Sequence, residues 1–227
     1  MPSAMTTIDI AEQRLHLLPD RAIWWPARCT LLLADLHFGK AAAFRSAGVP
    51  VPERTTLTDL KRLDALLERF APERMVILGD LIHAPTGRAP GTLDTIATWR
   101  DAHRSLDILL VRGNHDRRSG DPPDSWRMTC IPGAHPDGPF VYRHEPAPDE
   151  RGYVLAGHLH PAASLTGSGS SMKAPCFWFG PDVGVLPAFG SFTGTKVVRP
   201  KRGDRVFVVG GGEVVDVSPT PAAPTSA

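Results

Sequence analysis

The chain has few of the features that mark secreted or membrane-spanning proteins. Its 227 residues contain three cysteines, Cys29, Cys130 and Cys176, which are too few and too far apart for a disulfide framework or a cysteine-rich zinc site. No segment approaches the roughly 20 consecutive apolar residues that a membrane-spanning helix needs. The first 13 residues carry acids and no apolar core, so we expect no signal peptide. These absences predict a cytoplasmic protein without a membrane partner.

The charge balance shows no excess of either sign. Lysine and arginine number 25, aspartate and glutamate 24, and the formal net charge is +1. The sequence therefore lacks the strongly basic composition of many nucleic-acid-binding proteins, although metal ions and a local arginine patch can supply positive potential. The length and the 42% hydrophobic content are typical of a globular domain. We predict a single domain over residues 1–217 and, because apolar anchors are lacking there, a disordered tail over residues 218–227.

Apolar periodicity predicts an α/β protein. In the first half of the chain, apolar runs typical of buried strands alternate with amphipathic helical patterns. The predicted strands lie at residues 30–34, 75–78 and 106–111, and the predicted helices at residues 56–70 and 93–104. A hairpin is expected over residues 6–25, and from Met128 onward short strands alternate with Gly/Pro turns. The predicted architecture is two packed β-sheets flanked by helices.

Five of the apolar runs end on side chains that bind metals. In chain order these are Asp35 and His37, Asp80, Asn114, His144, and His158 and His160. Because open α/β sheets place ligands outside the carboxyl ends of their strands, the side chains should meet at one edge. Asp35/His37 and His158/His160 would each point to one face if their strands continued that far. Carboxylate, imidazole and amide without thiolate suit manganese, iron or zinc, and a carboxylate can bridge two such ions.

Each motif alone also has a structural interpretation. An Asp-x-His sequence is common, a Gly-Asp after a strand is usually a turn or a helix cap, and His144 alone would more often be a satisfied buried histidine. The Gly-Asn-His-Asp sequence at 113–116 and the Gly-His-Leu-His sequence at 157–160 are more specific. Several polar side chains directly after a buried strand have no packing role there. The order and spacing of all five motifs together favour a site for two metal ions.

The complete motif set resembles the calcineurin-like metallophosphoesterase superfamily over about residues 29–161. The resemblance implies a four-layer αββα fold and a phosphoesterase that uses two metal ions. It also implies that one ion is bound by Asp35, His37, Asp80 and His160, and the other by Asp80, Asn114, His144 and His158. Asp80 would bridge the two ions. His115 would act as general acid or transition-state stabiliser, held in place by Asp116.

One residue departs from the superfamily pattern and indicates a particular branch of the superfamily. The superfamily usually has aspartate three residues after the bridging aspartate, where this chain has His83. With the Asp-Leu-His-Phe-Gly-Lys sequence at 35–40, that histidine is similar to one bacterial branch, the ligase-associated DNA damage response endonucleases. The branch is grouped with a DNA ligase and a helicase. We therefore predict an endonuclease that cleaves single-stranded DNA in repair, with two divalent transition-metal ions. Manganese is the expected metal, and iron or zinc are the alternatives.

Substrate contacts and rival functions stay open at this point. Candidate contacts with phosphate are Lys40, Arg45, His83 and Arg143, and for the cations among them plain solvent exposure is the alternative. Aromatic side chains could stack on bases, with core packing as the alternative: Trp24, Trp25, Phe38, Trp178 and Phe179. A nucleotide or small-molecule phosphodiesterase or phosphatase is the main rival function. A catalytically dead scaffold is a third, against which the intact ligand set argues.

Overall fold

The computed structural model describes residues 5–51, 54–167 and 170–219. The strands of these residues form two β-sheets. Sheet I consists of β1 (Thr6–Ile10), β2 (Gln13–Leu18), β3 (Ala22–Trp25), β4 (Thr30–Leu33), β5 (Arg74–Ile77), β6 (Asp107–Val111) and β7 (Thr129–Ile131). Its spatial order follows the chain. The pairs from β1 to β4 are antiparallel, and those from β4 to β7 are parallel. The expected hairpin over residues 6–25 is wrong, because this stretch forms three strands.

Sheet II is built from the second half of the chain. Its strands are β8 (His135–Asp137), β9 (Phe140–Tyr142), β10 (Tyr153–Ala156), β11 (Pro161–Gly167), β12 (Ser170–Phe179), β13 (Val183–Val185), β14 (Lys196–Val197), β15 (Arg205–Gly210) and β16 (Glu213–Asp216). The order is β14-β11-β12-β13-β10-β9-β8, and β15 pairs with β12 and β16. The strands β9, β10 and β13 are parallel to one another.

The main core lies between the two sheets. Strand β4 is buried on both faces and so reads as a continuous apolar run. Leu32 points into the core shared with sheet II, whereas Leu31 and Leu33 point to the other face of sheet I. From sheet II, Phe177 and Phe207 enter the shared core. Each such side chain contributes about 1.5–3 kcal/mol by its burial, so sheet packing fixes how the two strand-end edges meet.

The described helices are α1 (Lys40–Ser46), α2 (Thr55–Phe70), α3 (Pro90–Ala102) and α4 (Asn114–Ser119). Of these, α2 and α3 cover the outer face of sheet I. Leu60, Leu63 and Leu66 of α2 are buried in the second core, together with Ile96 and Trp99 of α3. In the part of the chain that the structure describes, no α-helix follows Ser119, and none is long and apolar enough to cross a membrane. The predicted α/β sandwich of two packed sheets with flanking helices is confirmed.

The predicted disordered tail over residues 218–227 mostly lies outside the described residues, which end at 219. Ser218 is described, and its Oγ accepts a hydrogen bond from the backbone N of Val206 at 2.9 Å. At that residue the chain is therefore attached to β15. The single domain over residues 1–217 stays a prediction.

The two sheets bring their strand ends together at one edge. The loop after β4 is joined to the loop after β5, because Asp35 N donates to Gly79 O at 3.1 Å. In sheet II, Gly157 N donates to His144 O at 3.1 Å, which joins the ends of β9 and β10. A bond from His158 N to Asp35 Oδ2 at 2.9 Å then connects the two sheets. The edge predicted from the five motifs is therefore a single place in the fold.

Candidate metal centre

The candidate ligands lie beyond the strands rather than within them. Strands β4 and β10 end two residues before Asp35 and His158. The expectation that extended backbone aligns each pair is therefore wrong. Five candidate ligands have left-handed backbone instead, with φ of 54° at Asp35, 49° at His37, 53° at Asp80, 70° at His158 and 48° at His160. This conformation costs about 1–3 kcal/mol per residue and clusters at functional sites, so the surrounding structure must hold these turns in place.

The first group of donor atoms is contributed by Asp35, His37, Asp80 and His160. His37 Nε2 lies 3.2 Å from His160 Nε2 and 3.7 Å from Asp80 Oδ2. His160 Nε2 lies 3.4 Å from Asp35 Oδ1. Donors that surround one ion at about 2.1 Å lie about 3–3.5 Å apart, so these separations fit a shared cation. The structure brings together the four residues predicted for the first ion.

The second group is contributed by Asp80, Asn114, His144 and His158. Asn114 Oδ1 lies 3.0 Å from His144 Nε2 and 3.0 Å from His158 Nδ1, and the two histidine nitrogens are also 3.0 Å apart. Asp80 Oδ1 lies 3.5 Å from His144 Nε2. Since Asp80 Oδ2 faces the first group, the two oxygens of one carboxylate face different groups. That is the arrangement a bridging ligand requires.

The chemistry of the donors fits cations. Asp35 Oδ1 is buried and has no hydrogen-bond partner among the described residues, a costly state that a cation would relieve. Burial, and next the proximity of His160, lower the pKa of His37 far below its usual value. The ring therefore stays neutral, which is the form that binds metal. Burial is also the main cause that raises the pKa of Asp80, and nearby positive charge would oppose that rise.

Backbone carbonyls fix the orientation of two histidine rings. His144 Nδ1 donates to Leu78 O at 2.9 Å, and His160 Nδ1 donates to Gly194 O at 3.0 Å. Each bond places the proton on Nδ1, so that Nε2 is left as an acceptor toward the donor group. Ligand histidines in metalloproteins are held in this way by their second nitrogen.

Three glycines leave the space that the ligands occupy. An added Cβ would lie 2.1 Å from His144 Nδ1 at Gly79, 2.1 Å from Asp80 Oδ1 at Gly113, and 2.6 Å from Asp35 Oδ2 at Gly157. Each glycine directly precedes one candidate ligand and touches another from a different strand end. The Gly-Asp, Gly-Asn and Gly-His sequences therefore reflect close packing around the donors as well as turns.

We expect Gly113→Ala to weaken metal retention about 10–100-fold, the range found when groups that orient ligands are disturbed. Gly113 has φ −88°, which alanine adopts freely, so displacement of Asp80 is the direct consequence. Metal content after dialysis against a chelator measures the effect. Gly91→Ala on α3 is the matched control, since its added Cβ meets nothing within 4 Å in the described structure. Wild-type retention in Gly113→Ala would contradict the proposed position of Asp80.

His115 lies beside both donor groups. Its backbone N donates to Asp80 Oδ1 at 2.9 Å, and its Nε2 is 3.9 Å from Asp80 Oδ2. Its Nδ1 donates to the carbonyl oxygen of His83, whose ring stacks on it at 4.9 Å. The side chain is 29% exposed. Nε2 therefore faces the Asp80 carboxylate, and the side chain is partly accessible from solvent.

The expectation that Asp116 holds the His115 ring is wrong. Both carboxylate oxygens of Asp116 accept bonds from backbone amides, those of Asp80 at 2.8 Å, Leu81 at 2.9 Å and Gly113 at 2.8 Å. The reason is that α4 begins at Asn114, so Asp116 is the third helical residue and its side chain reaches back to the cap. Asp116 shapes the turns that carry Asp80 and Asn114.

The four predicted substrate contacts lie in different surroundings. His83 Nδ1 lies 3.2 Å from His37 Nδ1, and burial lowers the pKa of His83 to about 4. Lys40 begins α1, and its half-buried ammonium lies 5.8 Å from the Phe192 ring centroid. Arg143 lines a cavity of about 130 Å³ next to His144. Arg45 instead donates to Val51 O at 3.2 Å, which ties it to the chain that follows α1.

Sequence reasoning missed two supports of the site. Arg112 and Arg117 line the same cavity as Arg143, and only the position of Arg112 directly before the Gly-Asn-His-Asp motif could have indicated this. The second support is the segment 188–191, in which Phe189 N donates to Ala34 O at 2.8 Å and Gly190 N to Asp35 O at 3.2 Å. This segment holds the Asp35 turn, and no motif marks it.

Comparison with solved structures gives this arrangement a family. The nuclease MPE of Pseudomonas putida is 42% identical, with a TM-score of 0.83, and the match covers 94% of this chain and all of that one. The chain belongs to the metallophosphoesterase superfamily. The predicted superfamily is confirmed, and the match to a nuclease supports its nuclease branch. The chain is therefore a metal-dependent phosphoesterase that uses divalent ions.

Two more distant structures also match. The phosphoesterase Yfce of Escherichia coli is 16% identical over 80% of this chain and 88% of that one, with a TM-score of 0.38. A Vps29 mutant of Entamoeba histolytica is 13% identical over 83% of this chain and 99% of that one, with a TM-score of 0.35. Comparisons with protein-family models and with curated proteins found no match.

Proposed function

We propose that this metallophosphoesterase is a manganese-dependent endonuclease that hydrolyses phosphodiester bonds of single-stranded DNA in repair. The observation that carries the proposal is the pair of donor groups that share Asp80, with His115 beside them. The similarity to a nuclease over nearly the whole chain supports a nucleic-acid substrate. A functional association with a DNA ligase and a helicase is part of the same proposal. The nitrogen and oxygen donors suit manganese, with iron or zinc as alternatives.

Each residue has a defined task in this proposal. Two divalent cations, when bound, lower the pKa of water toward about 7 and stabilise charge on the phosphoryl oxygens. Asp80 contributes one oxygen to each donor group and so fixes the position of the two groups relative to each other. Asn114 adds an oxygen ligand without adding charge. His115 Nε2 gives a proton to the departing oxygen of the sugar, while the His83 carbonyl keeps the ring in position.

Positive charge near the metal centre supports a polyanionic substrate despite the small net charge. Arg112, Arg117 and Arg143 line one cavity beside His144, and Lys40 lies on the His37 side of the centre. Each arginine has an acidic partner that offsets part of its charge: Asp121 lies 2.6 Å from Arg112, Glu145 lies 3.3 Å from Arg117, and Asp149 lies 3.6 Å from Arg143. The pairs of Arg117 and Arg143 are partly exposed, so these arginines and Lys40 can still contact phosphates that flank the cleaved bond. That partial offset is also the observation that favours a small nucleotide substrate as the second candidate.

We expect the purified protein with Mn²⁺ to cut circular single-stranded DNA, because an endonuclease needs no free end. Mg²⁺ and Zn²⁺, a duplex of the same sequence, and nucleoside monophosphates are assayed in parallel. The expected result is cleavage of the circle, strongest with Mn²⁺, and little release of phosphate from nucleotides. Release of phosphate from nucleotides without any cutting of DNA would favour the small-substrate enzyme and reject the endonuclease.

A further inference from the structure

An apolar cavity of about 350 Å³ lies on sheet II beside the loop that carries His158 and His160. Leu159, Trp178 and Pro146 line it. Leu159 lies between the candidate ligands His158 and His160, and Pro146 follows His144 by two residues. The cavity wall is therefore continuous with strand-end loops that serve both donor groups. Its volume lies within the range of about 300–1,000 Å³ that is typical of ligand pockets.

The Trp178 ring in this cavity is held in a fixed position. Its Nε1 donates to Asp204 Oδ2 at 2.9 Å, and the same oxygen accepts from Lys201 N at 2.8 Å. Asp204 is 7% exposed, so this interaction is largely shielded from water. Trp178 itself is only partly buried, although it lies on β12 against the outer core of sheet II. The indole N–H of Trp178 already has a hydrogen-bond acceptor, and the ring is still accessible. The cavity therefore favours a flat, apolar ligand.

We propose that this cavity binds one nucleobase of the substrate strand, adjacent to the phosphate that is cut. The inference rests on the proposed DNA substrate. Bases of single-stranded nucleic acids stack on aromatic side chains with little dependence on sequence. A base in a duplex must first leave its stack to reach such a cavity, which costs free energy. The cavity therefore gives the enzyme a physical reason to select single strands.

The charges at the cavity agree with a base inside and a phosphate outside. Asp182 and Asp204 line it, and their carboxylates disfavour a phosphate within it. The exposed Lys201 also lines it and can contact the phosphate of the bound nucleotide. A segment of a partner protein is the rival occupant, and the experiment below separates it from a base.

The test changes the enzyme and the substrate together. Short oligonucleotides carry one cleavable linkage among resistant ones, with an abasic residue placed at each position in turn. For the wild type, we expect one abasic position near the cut to lower kcat/KM about tenfold, the effect of losing one stacked base. On the intact oligonucleotide, Trp178→Leu should lower kcat/KM by a similar factor. An abasic residue at that position should lower the kcat/KM of this variant no further. Trp178→Phe keeps a ring and should stay within about threefold of the wild type.

Controls show whether the loss is specific. Hydrolysis of methyl 4-nitrophenyl phosphate and metal content should be unchanged in Trp178→Leu, measured below the melting temperature, which the lost bond to Asp204 lowers. Trp24→Leu is the matched variant, since Trp24 is also partly buried but lies on sheet I against Phe70. Equal abasic sensitivity in the wild type and Trp178→Leu would reject the base cavity while the endonuclease proposal stands. A wild type that hydrolyses the small diester but cuts no DNA would reject both.

Discussion

Asp80→Ala should lose both metal ions, and with them nearly all hydrolysis of phosphodiesters. The two oxygens of Asp80 face different donor groups, at 3.7 Å from His37 Nε2 and 3.5 Å from His144 Nε2. Loss of an outer group that orients a ligand already costs about 10–100-fold in metal affinity, and loss of a shared ligand acts on both ions. We expect activity to fall by about 10⁴-fold, as two losses of about 100-fold multiplied.

Elemental analysis of the purified protein measures this effect most directly. Asp80→Asn keeps the volume of the side chain and should also lose metal, which separates lost charge from a lost fold. Asp94→Ala, an exposed carboxylate on α3, is the control and should retain two ions per chain. If Asp80→Ala binds two ions at full occupancy, Asp80 is not a bridging ligand.

His115→Ala should separate chemistry from metal binding. Its Nε2 lies beside Asp80 Oδ2 without being part of either donor group, and its ring is held by the His83 carbonyl. A positioned general acid typically contributes about 10²–10⁴-fold, and we expect a loss in that range on DNA. On a diester with a nitrophenol leaving group the loss should be smaller, because that group leaves without a proton.

Paired rates on the two substrates, with metal content measured in the same samples, test the assignment. His103→Ala is the matched control, since His103 pairs with Asp64 at the end of α3 and has no proposed role in the reaction. Equal losses on both substrates would mean that His115 stabilises the phosphoryl oxygens instead. Loss of an ion would make His115 a ligand.

The strands and their ends could be predicted because buried parallel strands leave a strong pattern. The run at residues 30–34 corresponds to β4, and the leucine spacing at 56–70 corresponds to α2, which begins one residue earlier. The ligands follow those runs in the sequence, so the motif order was enough to place them at one edge. Metal binding by these residues stays a prediction.

Features that depend on distant contacts could not be predicted. The turn between β1 and β2 has positive φ at Ala11 and Glu12, where glycine or asparagine would have indicated a turn. The left-handed ligands are likewise ordinary Asp and His residues, held by bonds such as that from His158 N to Asp35. The role of Asp116 depends on where α4 begins, and a six-residue polar helix has no periodic pattern.

The division of the donors between two sheets has a consequence for how the protein is made. His37 and His160 are 123 residues apart in the chain, and sheet I is synthesised before any strand of sheet II. A nascent chain that ends before β10 lacks His158 and His160, so it can complete neither donor group. In the proposed metal centre, full coordination of the ions therefore follows the late docking of sheet II. Ions bound there would stabilise the docked form and oppose the separation of the two sheets by mass action.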